Sequence, residues 1–219
     1  MTTRRSRILL LTVLAALIAA LAARAWFSEP AGVAGGGGDD ASGGSVVRED
    51  SHVLSQAPAE EAVLVEFLDF ECESCRAFYP TVEELRAEFA DELTVVLRYF
   101  PIPSHANAQN AALAVEAASR QGQLEAMYKM MYATQGEWGE AQESKAEVFR
   151  GFASDLGLDL TQYDQDVADP TTLERVTQDF DDGIALGVSG TPTFFLDGEK
   201  VTANSPDELR AAVEAALDQ

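Results

Sequence analysis

Cysteine, histidine and basic residues are all scarce in this sequence. The 219 residues include two cysteines and two histidines, and 15 lysines and arginines face 37 aspartates and glutamates. A structural zinc site takes about four nitrogen or sulfur ligands, so the composition disfavours a zinc knuckle. The net charge of −22 repels the phosphates of nucleic acids and anionic lipid headgroups. We therefore expect no nucleic acid partner and no resident metal.

Both cysteines belong to one motif, Cys72-Glu73-Ser74-Cys75, which follows the apolar run 63–70 and precedes a helical pattern. At the start of a helix, unpaired N–H groups and the helix dipole stabilise the thiolate of the first cysteine. The second cysteine, one turn later, can attack a mixed disulfide and release the substrate. A purely structural disulfide is disfavoured, because so short a loop is strained and constrains a domain weakly. The motif therefore indicates a thiol-disulfide active site.

Glu66 interrupts the apolar run that leads to the motif. The run predicts a strand buried on both faces of a mainly parallel sheet. A carboxyl group buried there stays protonated until the pH rises, so it could exchange protons with the sulfur of Cys75. The alternative is that Glu66 lies at an edge of the sheet and is solvated.

The N-terminus predicts export. Three arginines among the first seven residues precede an uncharged apolar stretch, as in a secretory signal. As a helix, residues 8–27 would span about 30 Å, which matches a bilayer core. We expect residues 1–27 to be a signal-anchor, or alternatively a cleaved signal peptide, and the Gly-rich residues 28–45 to be a flexible linker. The expected location is the cell membrane with a single N-terminal transmembrane helix and an extracytoplasmic domain, or secretion after cleavage.

Residues 104–187 have a helical pattern throughout, too long for a simple crossover between strands. They are followed by the loop Gly190-Thr191-Pro192-Thr193, two short strands and a last amphipathic helix. Methionines 127, 130 and 131 recur at helical spacing, which favours a core position over a copper-binding stripe. The pattern predicts an α/β fold with an inserted helical subdomain.

The ordered set of motifs resembles the DsbA-like thiol-disulfide oxidoreductases of the thioredoxin superfamily, over residues 46–219. Four features carry the resemblance: the Cys72–Cys75 motif after a strand, Glu66 six residues earlier, Pro80 within the following helix, and the 190–193 loop before the penultimate strand. The resemblance implies a thioredoxin-like fold with a central mixed β-sheet and the helical insertion at about 104–187.

The resemblance also implies roles for individual residues. Cys72 corresponds to the nucleophile, Cys75 to the resolving thiol and Glu66 to a buried proton-transfer carboxylate. Pro192 is expected to be cis and to lie against the disulfide, while the backbone of Thr191 pairs with an extended substrate segment. Phe70 and Tyr79 are expected to contribute apolar surface near the site. No cofactor is expected beyond the Cys72–Cys75 disulfide itself.

The leading functional expectation is a disulfide oxidase for exported cysteine-containing proteins. The resemblance implies reoxidation by a membrane quinone reductase, either DsbB-like or vitamin K epoxide reductase-like. One departure from the family matters: Glu71 and Glu73 flank Cys72, and their charges should disfavour its thiolate and make the disulfide less oxidising. A reductase or isomerase is therefore the alternative within the enzyme class, and it is also favoured by Thr191 before the proline, which resembles some isomerase-type members. A CxxC copper-binding or chaperone-like module is the alternative outside it.

Overall fold

The computed structural model describes residues 44–218, and in these residues five strands form one mixed sheet. The spatial order is β1-β3-β2-β4-β5; β2 and β3 are parallel, and every other neighbouring pair is antiparallel. The strands are β1 (His52–Ser55), β2 (Ala62–Leu68), β3 (Leu93–Tyr99), β4 (Thr193–Leu196) and β5 (Glu199–Val201). Because β2 is the central strand, the active-site motif that follows it starts from the middle of the sheet.

Seven helices accompany these strands in the described part of the chain. The helix α1 (Glu73–Glu88) joins β2 to β3, and α7 (Pro206–Leu217) follows β5. Five helices lie between β3 and β4, within the region whose sequence predicts helix: α2 (Ala108–Ser119), α3 (Leu124–Trp138), α4 (Ala146–Asp155), α5 (Leu160–Ala168) and α6 (Pro170–Ala185).

The two faces of the sheet have separate hydrophobic cores, because successive side chains of a strand point to opposite faces. Leu64 and Leu68 of β2 belong to the larger core, which also contains buried residues of α1 to α5 and of α7. Val65 and Phe67 belong to the smaller core, against which Phe180 of α6 packs. The last helix of the insertion thus packs through Phe180 against the sheet face opposite to α1, while its Val176 belongs to the larger core.

A buried arginine fixes the beginning of the described chain. Arg98 of β3 is fully buried and donates hydrogen bonds to Asp179 and Asp182 of α6, each at 2.5 Å. It also donates to the carbonyl oxygens of Ser45 and Val46, at 2.8 and 2.7 Å. The chain is therefore held against the sheet from the point where the sequence predicts the linker to end.

The predicted fold class is confirmed: the domain has a thioredoxin-like arrangement of a mixed sheet and helices. Within residues 44–218, no helix is both long enough and apolar enough to span a membrane. The predicted signal-anchor at 1–27 lies outside the described residues, as does most of the predicted linker.

Candidate active site

The first cysteine of the motif is the residue from which α1 starts. Cys72 is the N-cap of this helix, and its carbonyl oxygen accepts a hydrogen bond from the amide of Arg76 at 3.2 Å. Cys72 is partly exposed whereas Cys75 is fully buried, and both are free thiols. The side chains between them, Glu73 and Ser74, are exposed to solvent. A partner molecule can therefore reach the sulfur of Cys72 but not that of Cys75.

The surroundings of Cys72 strongly favour its thiolate. A hydrogen bond from the thiol of Cys75 is the largest cause that lowers the pKa of Cys72, to about 5 from an ordinary value of 9.0. The backbone amides of Cys75 and Ser74 lower it further, against the opposing effect of burial. These donors stabilise a negative charge at the helix N-terminus.

The expectation that the flanking glutamates leave Cys72 with a poorly stabilised thiolate is wrong, because its pKa is lowered to about 5. Glu71 is buried, and its carboxylate accepts a hydrogen bond from the amide of Asn107 at 2.6 Å. Glu73 is exposed, and neither glutamate is among the main causes that set the pKa of Cys72. Local hydrogen-bond donors dominate because they contact the sulfur directly, whereas the solvated carboxylate of Glu73 is screened by water.

Cys75 has the opposite electrostatic environment. Burial raises the pKa of this thiol well above its ordinary value, and the neighbouring Cys72 and Glu66 raise it further. The pKa values of the two thiols are thus pushed in opposite directions. Such a separation gives the motif one thiolate that is ready to react and one thiol that holds its proton.

Glu66 is a buried acid in the centre of the sheet, where it is in register with Leu97 of β3 and Phe194 of β4. Its exposed fraction is 2%, so the alternative of a solvated carboxylate at the sheet edge is wrong. Burial is the main cause that raises the pKa of Glu66 to about 8, and the charge of Cys72 raises it further. At neutral pH this group carries a proton in the protein interior.

The 190–193 loop lies directly beside the first cysteine. The Thr191–Pro192 peptide bond is cis, as the resemblance implies. The thiol of Cys72 donates a hydrogen bond to the carbonyl oxygen of Thr191 at 3.3 Å. The structure thus brings Cys72 and Thr191 together although 119 positions separate them in the sequence.

Sequence reasoning did not find Gln135, which supports the active-site turn from α3. Its side-chain amide is buried and donates to the carbonyl oxygens of Phe70 and Cys72, at 2.6 and 3.0 Å. These bonds satisfy two backbone acceptors beside the reactive cysteine. No local signal in the sequence marks a glutamine so far along the chain as a neighbour of the motif.

Asp69 holds the same turn from its other side. Its buried carboxylate accepts hydrogen bonds from the amides of Glu71 and Ile102, at 2.8 and 2.9 Å, and contacts the Nδ1 of His105 at 2.7 Å. The position of Asp69 immediately after a buried strand was the available signal for this role. The ring of His105 is therefore held by the same carboxylate that supports the turn.

Aromatic rings fill the space behind the motif. Phe70 is 1% exposed and packs on Tyr132 with ring centroids 5.4 Å apart, so it belongs to the core and does not form part of an apolar surface. Tyr79 is partly exposed and stacks on Tyr132 at 4.9 Å. The fully buried Met127 of α3 belongs to the same core, as the helical spacing of the methionines predicts.

A pair of thiols with widely separated pKa values can exchange electrons with a dithiol or disulfide in another molecule. On a thioredoxin-like fold, with the more acidic thiol accessible beside a cis-proline loop, this capacity defines a thiol-disulfide oxidoreductase of the thioredoxin class.

Comparison with known proteins agrees with this class. The sequence profile of the family described as Thioredoxin matches residues 50–215, and the chain belongs to this family. Among solved structures, a thioredoxin-like oxidoreductase from Silicibacter pomeroyi DSS-3 is 26% identical with a TM-score of 0.65; the match covers 78% of this chain and 95% of that one. The oxidised BdbD of Bacillus subtilis has the same fold, with 18% identity and a TM-score of 0.67, over 81% and 98% of the two chains.

Curated relatives are much longer than this chain. The Na(+)/H(+) antiporter NhaA of Herminiimonas arsenicoxydans is 33% identical over 153 residues, which are 70% of this chain and 23% of the antiporter. The chain thus spans about a quarter of the length of the curated relatives that it matches. The transport named for those proteins is a property of the whole proteins.

Proposed function

We propose that this oxidoreductase introduces disulfide bonds into cysteine-containing proteins outside the cytoplasm. The observation that carries the proposal is the low pKa of the Cys72 thiol, about 5. A thiolate that is stabilised in the reduced enzyme makes the Cys72–Cys75 disulfide easier to reduce, so the disulfide is a stronger oxidant. The net reaction passes two electrons from a substrate dithiol to the enzyme disulfide.

The proposed reaction begins when a substrate thiolate attacks the Sγ of Cys72. The Cys72–Cys75 bond breaks, a mixed disulfide forms at Cys72, and Cys75 leaves as a thiolate. Because the pKa of Cys75 is raised, this thiolate takes up a proton, and the protonated carboxyl of Glu66 is the proposed donor. A second substrate thiolate then attacks the substrate sulfur of the mixed disulfide, forms the substrate disulfide and expels the stable Cys72 thiolate.

The loop beside Cys72 is the proposed docking position for the substrate backbone. The carbonyl oxygen of Thr191 lies 3.3 Å from the Cys72 sulfur, and an extended segment there could pair with the Thr191 backbone like an added strand. Pro192 follows with a cis bond. Main-chain pairing of this kind is independent of sequence, which suits an enzyme with many protein substrates.

Each cycle leaves the enzyme reduced, so the proposed function requires an electron acceptor. We infer a quinone-linked membrane oxidase, DsbB-like or vitamin K epoxide reductase-like, and no cofactor in this chain other than its own disulfide. The predicted signal-anchor at residues 1–27 would hold the enzyme at the membrane beside that partner. The alternative of a reductase or isomerase rests on the flanking glutamates and on Thr191 before the proline. Against the first of these, hydrogen bonds lower the pKa of Cys72 to about 5 despite the two glutamates.

Two linked measurements test the proposal. The reduction potential of the Cys72–Cys75 pair, measured by equilibration in glutathione buffers and counting of free thiols, should be about −120 to −180 mV for an oxidase. A value near about −270 mV would assign the enzyme as a reductase. In cells, Cys75→Ser should trap exported proteins as mixed disulfides at Cys72, whereas Cys72→Ser should trap none. Absence of trapped proteins in both variants would contradict the mechanism.

A further inference from the structure

One arginine near the active site differs from all the others in its ionic contacts. Within residues 44–218, every arginine except Arg76 forms an ion pair with a carboxylate within 4.0 Å. The paired arginines are Arg48, Arg86, Arg98, Arg120, Arg150, Arg175 and Arg210. In a protein with net charge −22, an arginine without a carboxylate partner needs a separate explanation.

Arg76 lies one helical turn after the reactive cysteine. Its amide donates to the carbonyl oxygen of Cys72, and residues four apart lie on the same face of a helix with their Cβ atoms about 5–6 Å apart. Side chains in an α-helix also tilt towards its N-terminus. Arg76 is exposed, so its guanidinium is accessible about one turn from the sulfur that a partner must approach.

The neighbouring helix leaves space for this side chain. Gly136 of α3 is exposed, and a Cβ at this position would lie 2.8 Å from the Nη1 of Arg76. Because Gly136 has no side chain, the guanidinium can lie close against α3. Glycine is unfavourable inside a helix relative to alanine, so this close contact comes at a cost in helix stability. The preceding residue, Gln135, donates to the carbonyl oxygen of Cys72. The arginine is thus held between α1 and the part of α3 that supports the active-site turn.

We propose that Arg76 is a specificity-determining residue that binds a carboxylate flanking the reactive cysteine of the partner protein. A guanidinium binds a carboxylate through two parallel hydrogen bonds, and no carboxylate of residues 44–218 pairs with Arg76 within 4.0 Å. The acidic surface of the enzyme repels strongly acidic partners. The favoured partner therefore has one carboxylate in reach of Arg76 and few carboxylates on the rest of its surface. The inference rests on the proposed function, because it concerns the partner that reacts at Cys72.

The test measures reaction at Cys72 directly. In the full-length chain with Cys75→Ser, Cys72 is converted to a mixed disulfide with thionitrobenzoate. Peptides with one cysteine, flanked by Glu, Gln or Lys, then react with it: the peptide thiolate attacks the Cys72 sulfur, the old disulfide bond breaks, and coloured thionitrobenzoate leaves. Each rate is divided by the rate of the same peptide with a small aromatic disulfide, which removes the effect of the flanking charge on the peptide thiol itself.

With Arg76 present, the Glu peptide should react about threefold to fivefold faster than the Gln peptide at low salt, the range of an exposed ion pair. High salt should remove the preference because exposed charges are screened. Arg76→Gln should abolish it, Arg76→Lys should retain only part of it, and Gly136→Ala should weaken it by displacing the guanidinium. Arg150→Gln is the matched control, since it removes the same charge from an arginine that pairs with Asp164.

A Glu preference that persists in Arg76→Gln, or is equally lost in Arg150→Gln, would overturn the inference. So would equal rates for all peptides with Arg76 in place; in that case Cys72 still reacts and the proposed function stands. If no peptide displaces thionitrobenzoate from Cys72, while each reacts with the small disulfide, the proposed function itself fails.

Discussion

Replacing Glu66 by glutamine should stabilise the reduced protein, and this gain over the wild type should grow as the pH rises. The pKa of Glu66 is about 8 in the folded protein, against an ordinary value of 4.5 that applies once the chain unfolds. The stabilising effect of its bound proton is complete below pH 4.5 and is lost as the pH rises through 8, because the unfolded chain releases the proton first. Glutamine has nearly the same shape and no proton to lose.

The size of the effect follows from the shift. Each pH unit between the two pKa values changes the free energy of unfolding by about 1.4 kcal/mol. Glu66→Gln should therefore stabilise the protein by about 1 kcal/mol at pH 5, about 3 kcal/mol at pH 7 and about 4 kcal/mol at pH 8. The exposed fraction of Glu66 is 2%, so solvent screening does not reduce these values.

Urea unfolding of the reduced wild-type and Glu66→Gln proteins at pH 5, 7 and 8 measures the difference. Glu73→Gln, on the exposed part of the active-site turn, is the control and should show no comparable trend. A stability gain from Glu66→Gln that stays constant between pH 5 and 8 would refute the reasoning, because it would mean that Glu66 ionises equally well in the folded and unfolded chains. The same variant should slow disulfide transfer, since Cys75 would lose its proposed proton donor.

Two further predictions concern the neighbours of Cys72. Cys75→Ala removes the hydrogen bond that is the largest cause lowering the pKa of Cys72, so this pKa should rise from about 5 towards 9.0, whereas Cys75→Ser keeps a donor and should hold it low. The pH dependence of iodoacetamide alkylation measures both, and an unchanged pKa in the alanine variant would be evidence against this cause. Gln135→Met keeps the side-chain length but takes away the side-chain donor to the carbonyl of Phe70 and one of the two donors to that of Cys72, which should lower the free energy of unfolding by about 1–3 kcal/mol. Urea unfolding measures this loss, with Gln142→Met at an exposed position as the control. Equal stability of the two variants would show that Gln135 does not support the turn.

Much of the active site could be predicted because its signals are local in the sequence. An apolar run, a CxxC motif and a helical pattern occur in consecutive positions, so the exposure of Cys72 and the burial of Cys75 follow from one strand-to-helix junction. The burial of Glu66 follows from the apolar character of its own strand. The cis bond before Pro192 came from the family resemblance and from no property of the four residues around it.

The supporting contacts could not be predicted in this way, because they depend on tertiary packing. Gln135 reaches the motif only because α3 packs beside α1, and nothing near residue 135 in the sequence indicates that neighbour. The contact that Glu71 makes could not be predicted for the same reason. A formal charge next to Cys72 in the sequence lies, in the folded chain, in a hydrogen bond with Asn107.

The exposure of Glu73 and Ser74 has a consequence for engineering. The nearby residues Glu71 and Cys75 are fixed in the fold, Glu71 by its hydrogen bond and Cys75 by burial, whereas the two side chains between the cysteines contact solvent. Substitutions there can change the backbone donors beside the Cys72 sulfur, among them the amide of Ser74, without removing core contacts. A library restricted to these two codons would therefore vary the redox potential of the enzyme while leaving its folding almost untouched, so the two properties can be selected independently.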